Sequence, residues 1–352
     1  MMKNTAPVIS NMTSVCAHPS SPARRTRVHR CARGFLSLSA LAIGATLAST
    51  AARASCGASF CTLMTDRYAE GSSEPHLGWS ADFRLEAITQ KQLRSGTKNI
   101  SADQVTGEEA IERRTRNLNV VTTLAYGIDK DWSVSLRVPV VQRDHAHDLV
   151  DAQTGQAATP EQWRFTRLGD VQVIARRQFV AGDGAVSYAL FGGLKLPTGS
   201  VKVVNGDGSR AERSLQPGSG TTDLLLGVAG RQVIGVADAL VGQASISVAL
   251  NSREDFKPGR RIEISAGWSH AFAHDLGAVL QLNLRHRGRD SGAQAEPANS
   301  GATTLDLSPG VTVGVGSAST LYAYLQLPLV QRVNGIQLVP RSALALGWTR
   351  DF

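Results

Sequence analysis

The sequence predicts an all-β protein: a transmembrane antiparallel up-and-down β-barrel of about twelve strands, with short periplasmic turns and long extracellular loops. Three observations carry this expectation. Apolar and polar residues alternate with period two in segments of about ten residues, which puts one kind of side chain on each face of a strand. After residue 54 no apolar run approaches the ~18 residues of a membrane helix. The chain also ends on an alternating strand, with Leu344, Leu346, Trp348, Arg350 and a terminal Phe352 on one parity. A soluble domain has no need of an apolar strand face at its last residue.

The first 54 residues read as a secretory signal peptide. Arg24, Arg25, Arg27, Arg30 and Arg33 precede the apolar stretch 35–47, and Ala52-Arg53-Ala54 supplies the small residues of a cleavage site. The flanks lack the features of twin-arginine and lipoprotein signals, so plain Sec export is expected. Lys3 and six arginines leave with the leader, which takes the 37 basic residues to 30 against 29 acidic ones. The formal charge of +8 therefore belongs almost wholly to the leader, and a nucleic-acid partner loses its support.

Cys16 and Cys31 fall within the leader as well, leaving Cys56 and Cys61. One close cysteine pair in an exported chain predicts a local disulfide, because a thiolate metal site needs more ligands than this pair offers. The loop is too short to add much stability, so the bond shapes the segment 55–75. That segment has little periodicity and is expected in the periplasm or tucked into the barrel as a plug. The barrel occupies 76–352.

Its first strand alternates Trp79, Ala81, Phe83, Leu85 and Ala87 with Ser80, Asp82, Arg84 and Glu86. A hairpin follows, with Leu118, Val120, Thr122, Leu124 and Tyr126 before the turn at 127–130 and Trp132, Val134, Leu136, Val138 and Val140 after it. Further strands are expected near 168–179, 185–196, 221–232, 240–251, 261–272, 276–287, 303–314, 319–331 and 341–352. Long connections near 89–114, 143–167, 197–220, 252–260, 288–302 and 332–340 alternate with short ones near 127–130, 180–184, 233–239, 273–275 and 315–318. This is the asymmetry of outer-membrane barrels. Tyr126, Trp132, Phe179, Phe272, Trp348 and Phe352 fall near the predicted periplasmic ends, where an aromatic girdle belongs. Pro197, Pro309 and Pro328 mark strand ends or breaks in the ladder.

A barrel works through its lumen and loops, so the polar parity supplies the pore candidates: Asp82, Arg84, Glu86, Asn117, Asn119, Arg137, Gln281, Asn283, Arg285 and Arg287. Both charge signs occur, so these side chains either line a hydrated path or pair across a narrow lumen and close it. Asp144-His145-Ala146-His147-Asp148 in the second long connection is where a metal would bind, through His145 and His147. No third ligand is fixed by spacing, and no metal or cofactor is assigned. Ser269-His270 is the one spot with the residue types of a hydrolase. His270 shares its parity with Ile262, Ile264, Ala266 and Trp268, which places it at the lipid boundary, and no serine motif or orienting carboxylate accompanies it, so no enzyme activity is expected. Gly206-Asp207-Gly208 and Pro217-Gly218-Ser219-Gly220 precede no helix and read as extracellular turns rather than phosphate loops.

Four segments carry a family resemblance: Leu168-Gly169-Asp170-Val171, Leu194-Lys195-Leu196-Pro197-Thr198-Gly199, Gly218-Ser219-Gly220-Thr221-Thr222-Asp223, and Leu327-Pro328-Leu329 followed by Val333-Asn334-Gly335-Ile336-Gln337-Leu338. They resemble the bacterial outer-membrane transporter family labelled for the MetA pathway of phenol degradation, loosely akin to fatty-acid channels. The subset that begins Cys-Gly-x-x-x-Cys is most similar, matched by Cys56-Gly57 and Cys61. The resemblance implies an outer-membrane barrel for small, hydrophobic or aromatic solutes, and it transfers no ligand residue. Arg350-Asp351-Phe352 departs from the usual Tyr-Arg-Phe ending and sets a charge on the outward parity.

The expected function is thus passive passage of small solutes through the lumen. The expected partners are the outer-membrane bilayer, the barrel-assembly machinery that reads Phe352, and the solute itself. A closed barrel with a surface binding or structural role is the alternative, and an outer-membrane hydrolase the third.

Overall fold

The computed structural model describes residues 77–352, other than 152–153, 182–183 and 273–274. The predicted leader, the segment 55–75 and the Cys56–Cys61 pair lie outside the described residues. Fourteen strands follow in order: β1 (Gly78–Ser95), β2 (Lys98–Ile100), β3 (Ala110–Gly127), β4 (Trp132–Val150), β5 (Ala157–Leu168), β6 (Val171–Ala181), β7 (Val186–Leu196), β8 (Asp223–Val233), β9 (Asp238–Ala249), β10 (Arg261–Ala271), β11 (Leu276–Arg287), β12 (Ala302–Val315), β13 (Ser319–Val333) and β14 (Ile336–Asp351).

Every strand pairing is antiparallel, and β14 returns to β1 in a ladder from Ser80↔Asp351 to Ser95↔Ile336 that closes the sheet. Twelve strands form the closed ring. The other two are additions: β2 folds back on the end of β1, and β5 pairs with the far half of β4. Closure removes the free sheet edges that a bilayer would not tolerate.

The two faces of the ring are inverted relative to a soluble protein. Outward positions such as Trp79, Phe83, Leu124, Leu136, Leu190, Val228, Ile264, Leu282 and Leu346 are exposed, whereas Arg84, Glu86, Asn117, Asn119, Gln178, Gln281, Asn283 and Gln326 are buried inside. On β4 the outward apolar run from Trp132 to Val140 covers nine residues, within the ~9–11 that a tilted strand needs to cross a bilayer. At the short-turn rim Trp79 packs on Tyr126 at 5.0 Å between ring centroids, Phe179 stacks on Tyr188 at 4.9 Å, and Arg177 lies over both Trp132 and Phe179. Phe352 sits at the same rim, its N–H donating to the Trp79 carbonyl at 2.9 Å, with the Arg350 guanidinium 5.5 Å from its ring.

Inside, aromatic rings lie flat across small residues of the neighbouring strand. A Cβ on Gly347 would come within 2.1 Å of Tyr322, one on Gly310 within 2.3 Å of Tyr324, and one on Gly227 within 2.2 Å of Phe191. Tyr322 and Tyr324 join Ile88, Val279, Ala343 and Ala345 in a buried cluster that fills part of the lumen.

Three expected loops are corrected. Residues 143–167 are mostly strand: β4 runs on to Val150 and pairs with β5 in a hairpin that rises beyond the apolar belt. Residues 332–340 are a tight turn at Asn334-Gly335 between two long strands, where Gly335 takes a positive φ of 59°. The connection 89–114 is shortened because β1 continues to Ser95 through register shifts around Gln90, and β3 begins at Ala110. Polar outward residues hid these extensions, because a strand above the membrane no longer needs an apolar face.

Between β5 and β6 the wall is interrupted at Gly169-Asp170. Proline has no N–H to offer a ladder, and β4 carries Pro139 at this level. Pairing with β6 reaches Arg137↔Gln172, pairing with β5 resumes at Val140↔Leu168, and the Gly169 N–H donates to the Pro139 carbonyl at 2.8 Å. Pro309 and Pro328 lie within β12 and β13 beside a register shift at Leu305/Asp306 and a gap in the ladder between Leu307 and Gly310, as breaks were expected there.

Candidate functional site in the lumen

The interruption between β5 and β6 is where the connection 197–222 enters the barrel. Asp170 sits in the gap with both carboxylate oxygens occupied: Oδ1 accepts from the Gly199 N–H at 3.0 Å, and Oδ2 accepts from the Ser219 N–H at 2.8 Å and the Ser219 hydroxyl at 2.9 Å. Lys195 of β7 is 3.0 Å from Asp170 Oδ2 and 3.1 Å from Asp223 Oδ2, and it also donates to Ser219 Oγ. Thr221 donates to Asp223 Oδ1 at 2.7 Å. A charged network this well satisfied holds a single arrangement.

Glycine is required where the two ends of the connection touch. A Cβ on Gly218 would lie 2.4 Å from the Gly199 carbonyl oxygen, and one on Gly199 would lie 2.7 Å from Gly218 Cα. Gly218-Ser219-Gly220 is therefore packed into the wall and is no surface turn, which corrects the reading of Pro217-Gly218-Ser219-Gly220. The middle of the connection is held by β5: Trp163 and Phe165 pack with Val203, Ala211 and Leu215, and the Trp163 indole donates to the Ser209 carbonyl at 2.9 Å.

This infolded connection narrows the lumen. Arg213, Ser214, Gln216, Pro217, Gly218 and Ser219 face Arg84 and Glu86 of β1, Asn119 of β3, Arg137 and Arg143 of β4, Lys195 of β7, Asp223 of β8, Arg261 of β10 and Arg287 of β11 across a cavity of about 290 Å³. A second, smaller cavity of about 80 Å³ lies against Arg285, Arg287, Asp306, Gln331 and Gln337. The connection thus acts as a constriction built from side chains of most of the ring.

The structure places all ten sequence-derived pore candidates on inward positions. Arg84 and Glu86 pair at 2.9 Å, and Glu86 also accepts from Asn119 at 3.3 Å. Asp82 accepts from Tyr322 at 2.7 Å and Thr349 at 3.0 Å, nearer the short-turn rim. Asn117 accepts from Arg143 at 2.7 Å, Asn283 donates to Ser308 at 2.8 Å, and Arg287 is bound to Asp290 at 2.6 Å. Gln281 is fully buried. Arg137 and Arg287 reach the larger cavity, and Arg285 and Arg287 the smaller one.

Sequence reasoning missed Arg143, Asp170, Lys195, Arg213, Asp223 and Arg261. Arg143 was reachable by extending the parity of Arg137 by three steps along β4, and Arg261 from its alternation with Ser265. Nothing local signals Arg213, whose position depends on how the connection folds.

Neither a protein-family model nor a curated protein sequence matches the chain. Among solved structures, the COG4313 outer membrane channel from Pseudomonas putida F1 aligns with a TM-score of 0.59 at 12% identity, over 80% of this chain and 98% of that one. The chain has the fold of a bacterial outer-membrane barrel. The Pseudomonas putida toluene transporter TodX aligns at a TM-score of 0.43 and 10% identity, covering 86% of this chain and 100% of its own, and the KdgM porin at 0.38 and 9%, covering 78% and 99%. The barrel architecture expected from the sequence is matched by the first of these structures, while the phenol-degradation label meets no family match.

The other two sequence candidates change character. His145 and His147 lie on β4 inside the β4–β5 hairpin, fully buried against Trp163, and not in an exposed loop. Thr115 Oγ1 is 2.8 Å from His145 Nδ1, His145 Nε2 is 3.4 Å from His147 Nδ1, and His147 Nε2 is 3.0 Å from Glu161. Burial, reinforced by His147 and Arg143, holds the His145 imidazole neutral, with its pKa pushed down to about 3. Among the described residues no group of three or more His, Cys, Asp or Glu side chains has the geometry to hold a metal.

Ser269 and His270 point to opposite faces of β10, so they form no catalytic pair. His270 does have a carboxylate partner that the sequence left invisible. Asp238 lies directly across the β9–β10 ladder, 2.8 Å from His270 Nδ1, and also accepts from Trp268 Nε1 at 2.9 Å. This cluster lies on the outer surface at the short-turn rim, where polar tips meet headgroups.

Proposed function

We propose that the protein is an outer-membrane channel through which small solutes pass by diffusion. The observation that supports this best is the inversion of the ring, with an apolar belt outside and buried polar side chains inside, combined with a constriction that keeps a cavity of about 290 Å³. A barrel that serves only as an anchor would need no charged, hollow narrowing at the level where its loops fold in.

In this reading the leader 1–54 directs Sec-dependent export, Phe352 is the signal read by the barrel-assembly machinery, and the long-loop rim faces the outside of the cell. The connection 197–222 filters what enters, together with residues 55–75. The motifs shared with the phenol-degradation family favour small organic solutes, aromatic ones among them. The filled part of the lumen around Tyr322 and Tyr324 favours the alternative, a closed barrel with a surface role. Swelling of liposomes that carry the purified full-length protein tests the proposal. Swelling in small solutes and none in a large oligosaccharide supports a channel, and no swelling with any solute, also after removal of residues 55–75, rejects it.

A further inference from the structure

The charges at the constriction are unbalanced. Seven cationic side chains line the cavity against three carboxylates, Glu86, Asp170 and Asp223, and one of the seven, Arg287, is paired with Asp290 outside the lining. Each carboxylate is already engaged: Glu86 with Arg84, and both aspartates with Lys195. Arg143 is 6% exposed and, among the described residues, is held only by neutral acceptors, Asn117 Oδ1 at 2.7 Å and the carbonyls of Leu215 and Ser214 at 2.5 and 3.5 Å. A buried guanidinium without a counter-ion is costly unless something anionic compensates it. Arg213, also 6% exposed, is on the infolded connection, bonded to the carbonyls of Ser219 and Arg253, with Glu254 at 4.0 Å as its nearest carboxylate. Arg261 of β10 enters the same cavity from the opposite wall.

The wall between these cations is not uniformly polar. Val121, Pro139, Val141, Pro217, Phe256 and Pro258 reach the cavity, and the Phe256 ring lies 5.0 Å from the Arg213 guanidinium. Its volume is at the lower end of the ~300–1,000 Å³ typical of sites for small organic molecules. A cationic centre beside apolar and aromatic surface matches an amphiphilic anion: a carboxylate at one end and a compact hydrocarbon or aromatic body at the other.

We propose that the constriction is an anion filter whose preferred solutes are small organic carboxylates, recognised by Arg143, Arg213 and Arg261. This rests on the channel reading above and adds the solute class to it. A narrow, low-dielectric passage with net positive charge raises the local anion concentration and repels cations. Unselective hydrophobic passage, by contrast, would need none of these three arginines.

The test is the reversal potential of the full-length protein in planar bilayers under a tenfold KCl gradient, followed by addition of sodium benzoate, cyclohexanol or sodium phosphate at equal concentration. The filter predicts a chloride-to-potassium permeability ratio several-fold above one and current block by benzoate at millimolar levels, with cyclohexanol and phosphate at least about fivefold weaker. Arg261→Gln, on a ring strand and partly exposed, should lower both the ratio and the benzoate block about threefold or more. Arg143→Lys should keep the ratio, and Arg143→Gln should lose it. Each variant is first checked for a folded barrel by heat-modifiable mobility. Channels that are cation-selective, or whose ratio survives both glutamine variants, would overturn the filter and leave the channel standing. Block by phosphate as strong as that by benzoate would overturn the organic-carboxylate assignment. Absence of any current would remove the channel reading and the filter with it.

Discussion

Lys195 Nζ lies 3.0 Å from Asp170 Oδ2, a contact between a ring strand and the gap through which the connection 197–222 enters the lumen. Both side chains are nearly enclosed, so removing one partner leaves a charge without compensation. Lys195→Met should cost on the order of 3 kcal/mol in reversible unfolding, because Asp170 and Asp223 would then face each other unneutralised. The Lys195→Met/Asp170→Asn double variant should cost less than the sum of the two singles. Strict additivity would mean that the contact does not couple the two elements.

Gly218 is where side-chain volume is forbidden outright. A Cβ there would meet the Gly199 carbonyl at 2.4 Å and Asp170 Oδ1 at 2.7 Å. Gly218→Val should therefore release the connection while the ring stays folded. Trypsin should then cut at Arg213, which is enclosed in the native protein, and unit conductance should rise. Protection of Arg213 equal to that of the unaltered protein would show that the contact is not what holds the loop in.

The outward apolar face makes its own prediction. Leu282 sits midway along β11 with its side chain exposed, so Leu282→Arg should destabilise the barrel in lipid by about 2–4 kcal/mol. On the outer surface of a soluble protein the same change would be within about 0.5 kcal/mol of neutral. Chemical unfolding in vesicles separates the two.

The β4–β5 hairpin should loosen in acid. His145 lies above the apolar belt, where the outward residues after Val140 are Gln142, Asp144, Ala146 and Asp148. Its folded pKa is pushed below the ordinary 6.5 to about 3, so the unfolded state binds more protons between these values. Its contribution to stability is complete above 6.5, falls as pH drops through that window, and is gone near the folded value. Amide exchange around Trp163 and His145 should accelerate from pH 7 to pH 4, and His145→Gln should flatten the pH dependence. Exchange independent of pH in the unaltered protein would contradict this.

Much of the ring was legible because period-two parity is a local property. Asp82, Glu86, Asn117 and Gln281 face inward for no reason other than their spacing from Phe83, Leu85, Leu118 and Leu282. Parity fails where the environment on one face changes along a strand. Above the belt Gln142 and Asp144 are outward and polar, so β4 ceased to resemble a strand while His145 and His147 became its buried face. Contacts between distant segments were equally hidden: the Gly199–Gly218 touch, Asp238 opposite His270, and Arg213 against the lumen wall follow from folding, not from neighbours in sequence. The motifs Leu168-Gly169-Asp170 and Gly218-Ser219-Gly220 stood out as a resemblance before their physical role was visible. They turn out to be the two halves of one junction.

Single-channel recording of the purified full-length protein in a planar bilayer, with and without residues 55–75, decides whether the lumen is a hollow, selective passage. A hollow lumen gives discrete openings whose unit conductance increases in Gly218→Val, where the infolded connection is displaced. A protein that inserts as a folded barrel yet never conducts, in the full-length, shortened and Gly218→Val forms alike, would contradict it.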